Sequence, residues 1–290
     1  ITITDSSVDA AALNTLDGKT TVAINASNIT TLTGSAADLN TTYTASGNGS
    51  ISGLGNEAVT LSDTTLAVSV LNILDGNTSG TVNASSINTL TGSAADLNTA
   101  YAAVGSGITG LGNEAVTLSD TTLAVSVLNI LDGNTSGTVN ASSINTLTGS
   151  AADLITAYAS SGISGLGNEA VNVNSGTAST SQANTLAADT SGVVTATISD
   201  GDMATLAGLT ETGNAYTITI TDSSVDAAAL NTLDGKTTVA INASNITTLT
   251  GSAADLNTAY ASSGISGLGN EAVTLSDTTL SASVLNTLDG

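Results

Sequence analysis

The sequence predicts a repeat solenoid, a stack of parallel coils of the β- or α/β-solenoid kind with one strand and short helical segments per coil. Three observations predict it. Residues 53–97 recur unchanged at 110–154, and residues 1–41 recur unchanged at 218–258. Apolar residues that open extended segments recur at Ile1, Ile24, Val59, Val82, Val116, Val139, Val171, Val194, Ile218, Ile241 and Val273. Their spacings are 23, 35, 23, 34, 23, 32, 23, 24, 23 and 32, so coils of 23 residues mostly alternate with coils of 32–35. Within each coil, alternation of period 2 gives way to helical spacing. Self-similarity of this period signals stacked supersecondary units, one per turn.

A short coil opens with an alternating run such as Val59-Thr60-Leu61-Ser62, which puts Val59 and Leu61 on one face. Asp63 follows in the position of a helix N-cap. Leu66, Val70, Leu71 and Leu74 form one apolar helical stripe. Asp75-Gly76 closes it, with the glycine expected as a left-handed stop. A long coil begins likewise: Val82 to Ser85 as strand, Ser86 as cap, and a short helical turn carrying Ile87 and Leu90 up to Thr91-Gly92. An extra segment, Ser93 to Tyr101, holds Ala94, Leu97 and Tyr101 at helical spacing and is expected as a second helix or a protruding loop. A glycine-rich return ends at Glu114, just before the next strand. The whole of 1–290 reads as one continuous array of about eleven coils.

Charge follows the same repeat. Short coils carry Asp63, Asp120, Asp222 and Asp277 at the expected cap, where long coils carry Ser86 and Ser143. Short coils end Leu-Asp-Gly and long coils Leu-Thr-Gly, as at Asp75 and Thr91. In an in-register stack this alternation would hold like charges about 9.6 Å apart instead of about 4.8 Å. That distance approaches a Debye length at moderate salt.

Composition excludes much. The chain has 290 residues, 24 acidic and 2 basic, a net charge of −22, and no His, Cys, Pro, Trp or Phe. Without His or Cys there is no thiol nucleophile, no serine–histidine dyad and no soft-metal site. With Lys19 and Lys236 as the only cationic side chains, nothing can follow a nucleic-acid backbone. An anionic membrane would repel the chain, and no segment reads as a transmembrane helix. Disorder is rejected, because only 9% of residues are charged and 40% are hydrophobic.

No catalytic, cofactor or metal residue stands out, and the chain is expected not to be an enzyme. Asp or Glu could form calcium ladders or cap helices, and capping is expected because the alternation separates the carboxylates. Diffuse binding of calcium or other divalent cations by so acidic a surface is still expected. Every carboxylate recurs as a repeat element, which argues against a glycosidase pair. The Thr-x-Thr runs at Thr2/Thr4 and Thr219/Thr221 suit an ice-binding row, but most equivalent strands depart from them. Tyr43, Tyr101, Tyr158 and Tyr260 recur once per long coil, either as a surface stacking row or, preferred, as packing for the extra segment. Asn25, Asn83, Asn140 and Asn242 each open an Asn-Ala-Ser sequon, a pattern expected by chance in a chain so rich in Asn and Ser.

Leu-Asn-x-Leu-Asp-Gly (Leu71–Gly76, Leu128–Gly133, Leu230–Gly235) and Ala-Ala-Asp-Leu-Asn (Ala94–Asn98, Ala253–Asn257) resemble repeats of giant extracellular or surface proteins of marine bacteria and cyanobacteria. They are also similar to repeats in marine phage fibres. The resemblance implies an extracellular or cell-surface fibre, sheath, surface layer or adhesin stalk. The array opens inside a strand at Ile1 and stops at Leu-Asp-Gly with Gly290, which is read as an excerpt of a longer chain. Self-association end to end into filaments is expected, with divalent cations as partners and bundling dependent on them or on salt.

Overall fold

The computed structural model describes residues 1–289; Gly290 and the Asp289 side chain, which complete the last Leu-Asp-Gly, lie outside the described residues. The chain forms two compact units. One holds Ile1–Thr121, Val127–Ile144 and Ser160–Gly165; the other holds Thr122–Ser126, Asn145–Ala159 and the chain from Leu166 on. Both are built of repeated strand–helix units on parallel sheets, an α/β repeat solenoid. No sheet among the described residues closes into a barrel. Among them, no helix is long and apolar enough to cross a membrane.

The helices are α1 (Ala10–Asp17), α2 (Ala36–Gly47), α3 (Val68–Asn77), α4 (Ala94–Ala102), α5 (Val125–Asn134), α6 (Ala151–Ala159), α7 (Thr180–Asp189), α8 (Met203–Leu206), α9 (Ala227–Asp234), α10 (Ala253–Ala261) and α11 (Ala282–Asp289). In the first unit one sheet stacks Ser7–Asp9, Thr31–Gly34, Ala58–Leu61, Val82–Asn83 and Ile108–Thr109. A second sheet stacks Thr65–Ala67, Thr89–Gly92, Ala115–Leu118, Val139–Asn140 and Ile163–Ser164. In the other unit a five-stranded sheet runs from Thr122–Ala124 to Ala215–Thr217, and a three-stranded one joins Ser224–Asp226, Thr248–Gly251 and Ala272–Leu275.

Register makes the core. Val8, Leu32, Val59, Val82 and Ile108 are direct partners up the first sheet. Leu66, Leu90, Val116, Val139 and Ile163 do the same in the second. Leu32, Val59, Val82, Leu90, Val116 and Val139 are fully buried. Each such side chain contributes about 2 kcal/mol by leaving water. Leu71, Leu74 and Leu97 close the core from the helix side, also fully buried.

The registers explain the two spacings. From Val59 to Val82 is one turn of 23 residues within one sheet, and from Val82 to Ile108 is one of 26. Val116, eight residues past Ile108, lies in the second sheet. The long spacing is therefore a full turn plus a side step. In this unit α1 and α2 follow strands of the first sheet, and α3 and α4 follow strands of the second.

Several local expectations are corrected. Two short strands, not one, precede α3: Ala58–Leu61 and then Thr65–Ala67, with Ser62-Asp63 at the corner. Asp63 therefore stands too far from α3 to cap it, and the N-cap is Ala67 with no side-chain bond. The Asp63 carboxylate instead accepts the Ala36 N–H at 2.7 Å, capping α2, the preceding helix. Asp120, Asp222 and Asp277 likewise cap Ala94, Met203 and Ala253. Ser86 caps nothing and no helical turn follows it. Its hydroxyl donates to the Leu61 carbonyl at 2.7 Å, and Thr89–Gly92 is a strand, as β-branched threonines favour. Gly76 is not a left-handed stop, because α3 continues to Asn77 and positive φ falls on other glycines. Leu-Asp-Gly at 74–76 is helical while Leu-Thr-Gly at 90–92 is strand, so the two do not stack and the charge alternation built on that match falls.

The extra segment is the helix α4, packed against α3 as an equal member of the helix layer. Ser93 caps it by accepting the Asp96 N–H at 3.1 Å, and the Ser93 hydroxyl donates to the Asp96 carboxylate at 2.8 Å.

The near-exact copies also permit a controlled prediction. Thr42 donates to Asn14 Oδ1 at 2.8 Å, in α2 against α1. In the second copy Ala259 stands where Thr42 does, and the buried Asn231 Oδ1 has no partner. Ala259→Thr is expected to stabilise the chain by about 1 kcal/mol. Urea unfolding would show it, and an unchanged or lower midpoint would refute the equivalence of the two sites.

Candidate functional site: buried tyrosine–glutamate pairs

Gly-Leu-Gly-Asn-Glu occurs four times, at 53–57, 110–114, 165–169 and 267–271. In the first three copies its glutamate is 1% exposed. The motif makes the side step, and both of its glycines have positive φ, for example 84° at Gly110 and 122° at Gly112. A side chain at Gly110 would also meet the Ser85 backbone at 2.7 Å, so this turn requires glycine for conformation and for space.

The turn folds its own glutamate inward. Glu114 accepts the Gly112 N–H at 2.9 Å and the Asn113 N–H at 3.1 Å. Its other partner is the Tyr101 hydroxyl, from α4. Glu57 is bonded in the same way by Gly55, Asn56 and Tyr43 of α2. Glu169 is bonded by Gly167, Asn168 and Tyr158 of α6. Glu271 accepts from Gly269 and Asn270 and from Tyr260, with its carboxylate more exposed. The next turn clamps each glutamate's backbone: Thr78, Thr135 and Thr190 donate to the carbonyls of Glu57, Glu114 and Glu169 at 2.6–2.7 Å.

Burial sets the phenols' acidity. It pushes Tyr43, Tyr101, Tyr158 and Tyr260 well above the ordinary phenol range, and the bonded glutamate pushes further in the same direction. Tyr216 is raised to about 12, by burial and then by the Glu211 charge. A folded phenol with a raised pKa stabilises the fold fully below the unfolded value of about 10, and that contribution is lost as pH rises further. The melting temperature is therefore expected to hold from pH 8 to 9.5 and to fall steeply by pH 11. Circular-dichroism melts test this, and a flat profile up to pH 11 would contradict it.

Tyr43 and Tyr101, each 8% exposed, are packing residues, whereas Tyr158 is half-buried and Tyr260 is 37% exposed. The pairing with glutamate is what sequence reasoning missed. One signal for it was present: Glu57, Glu114, Glu169 and Glu271 recur one for one with the four tyrosines. Three further acidic residues are also engaged. Asp17, Asp132 and Asp234 accept hydroxyls of Ser50, Ser160 and Ser262 at 3.1, 2.7 and 2.6 Å. Each sequon asparagine folds into a turn, its Oδ1 accepting the N–H of the following serine at 3.0–3.1 Å. Among the described residues no three acidic side chains converge as a metal site. A groove of about 530 Å³ between α9 and α10 is lined by Asn231, Asp234, Asn257, Thr258, Ala261 and Ser262, with one carboxylate among them.

Comparison with family models, curated proteins and solved structures finds no match to the chain.

Proposed function

We propose that the chain is a structural repeat protein of the extracellular space or cell surface, an element of a fibre, sheath or surface layer, and not an enzyme. The observation that supports this best is where the carboxylates are used. Asp63 and its counterparts cap neighbouring helices, and Glu57, Glu114 and Glu169 are enclosed by their own turns. Each role recurs with the repeat, so the acidic groups serve the architecture. We read the array as coils of 23 residues mostly alternating with coils of 32–35, the long coil being a turn with a side step. Partners in this reading are further copies or further stretches of the same array, joined end to end, with divalent cations screening the net charge of −22. Nucleic acid and membrane interiors are not partners. The Leu-Asn-x-Leu-Asp-Gly repeats favour one alternative, the spacer or stalk of a bacterial adhesin or phage tail fibre.

Electron microscopy with and without a chelator tests the reading. Filaments that bundle in calcium and separate in chelator are expected. Monodisperse particles at every protein and cation concentration would overturn it.

A further inference from the structure

We propose that the tyrosine–glutamate pairs are acid-sensitive latches: protonating the glutamate releases the Gly-Leu-Gly-Asn turn from the helix that carries the tyrosine, while the stacked strands hold. Everything aimed at the glutamate is a donor. At Glu169 these are the N–H groups of Gly167 and Asn168 and the Tyr158 hydroxyl. None of them is a cation, so a buried charge is held by neutral groups alone. A proton on this carboxyl meets the same three donors, and the turn loses the charge-assisted bonds that fold it inward.

The groups facing the pair come from three elements. Tyr158 comes from α6. Asp189, at the end of α7, adds a negative field at Tyr158. Thr190, just beyond α7, bonds the Glu169 carbonyl and reaches the phenol. The field of Asp189 falls on Tyr158, and no cation among these groups faces the pair. The strands have no such dependence, since they are joined by backbone bonds between Val171 and Val194 and between their neighbours.

At Glu271 the balance of forces is visible. Burial raises its pKa, but the bonds from Tyr260 and from the Gly269 and Asn270 N–H groups outweigh burial and lower it overall. Its stabilisation is therefore present above the usual carboxylate range and is lost as pH falls through the lower folded value.

Hydrogen exchange by mass spectrometry, from pH 7 to pH 3, tests the latch. The third copy is the one to follow, because Asn172-Val173 makes its peptide distinct from the matching peptides at 53–61, 110–118 and 267–275. Protection at Gly167 and Asn168 should fall at least tenfold at a pH where Val194–Thr197 remains protected. In Glu169→Gln that fall should vanish at Gly167 and Asn168 yet persist in the first two copies. Tyr158→Phe keeps the carboxylate and removes one donor, so the midpoint should rise by about one pH unit. This second variant carries the test should the first fail to fold. Latch and strand amides that lose protection together, or a Tyr158→Phe midpoint that does not move, would overturn the proposal.

Discussion

Glu114→Ala is expected to cost about 4 kcal/mol. The site is 1% exposed. Truncation leaves three buried donors with nothing to bond: the Gly112 and Asn113 N–H groups and the Tyr101 hydroxyl. Each stranded donor costs about 1–3 kcal/mol, less whatever water recovers by entering. Release from burying an uncompensated charge offsets part of this, which keeps the sum below the upper end. Urea unfolding followed by circular dichroism measures it. The chain supplies its own control. Glu271 holds the same turn, but its bonds to Gly269 and Asn270 are solvent-exposed. Glu271→Ala should cost a small fraction of the Glu114→Ala value. Equal losses would mean that the motif acts by turn propensity and that burial is irrelevant.

The architecture was legible because repetition and periodicity are long-range signals that survive any error in local alignment. Val59, Val82 and Val116 were read as strand openers and are core strand residues. What failed was position within the coil. Asp63 looks like the cap of the apolar stripe that follows it, yet Thr65–Ala67 is first needed to pair with Thr89–Thr91. Tertiary pairing thus delays the helix and hands Asp63 to a helix 27 residues earlier in the chain. Gly76 and Gly92 both follow a Leu-x pair, but only Gly92, at φ 148°, uses the freedom of glycine. Matching those two tripeptides placed a helix end against a strand end and so invented a charge ladder. The tyrosine–glutamate pair was hidden for a different reason. Its partners are separated by 14, 13 and 11 residues in successive copies, because the intervening loops differ in length. No fixed spacing records a contact made across a variable loop. Only the equal recurrence of the two residue types does.

Gly137→Ala tests the other half of the same junction. Gly137 lies in the Thr-Ser-Gly turn after α5, where Thr135 bonds the Glu114 carbonyl at 2.7 Å and accepts the Gly137 N–H at 3.0 Å. A Cβ at Gly137 would stand 2.3 Å from the Glu114 carbonyl oxygen and 2.5 Å from its carbon. Both are backbone atoms, so no rotamer change relieves the clash. Either turn must move, and moving the Glu114 backbone lengthens the bonds that hold its carboxylate. Overpacking of this kind costs about 3 kcal/mol, or roughly 6–12 °C in melting temperature for a chain of this size. Conformation is not the cause, because Gly137 is absent from the glycines of positive φ. Gly133→Ala, four residues earlier with nothing within 4 Å of the added carbon, should be neutral or slightly stabilising within α5. Thermal melts of the two variants give the answer. Comparable melting temperatures would mean that the approach of the Thr-Ser-Gly turn to Glu114 is not what holds successive coils together.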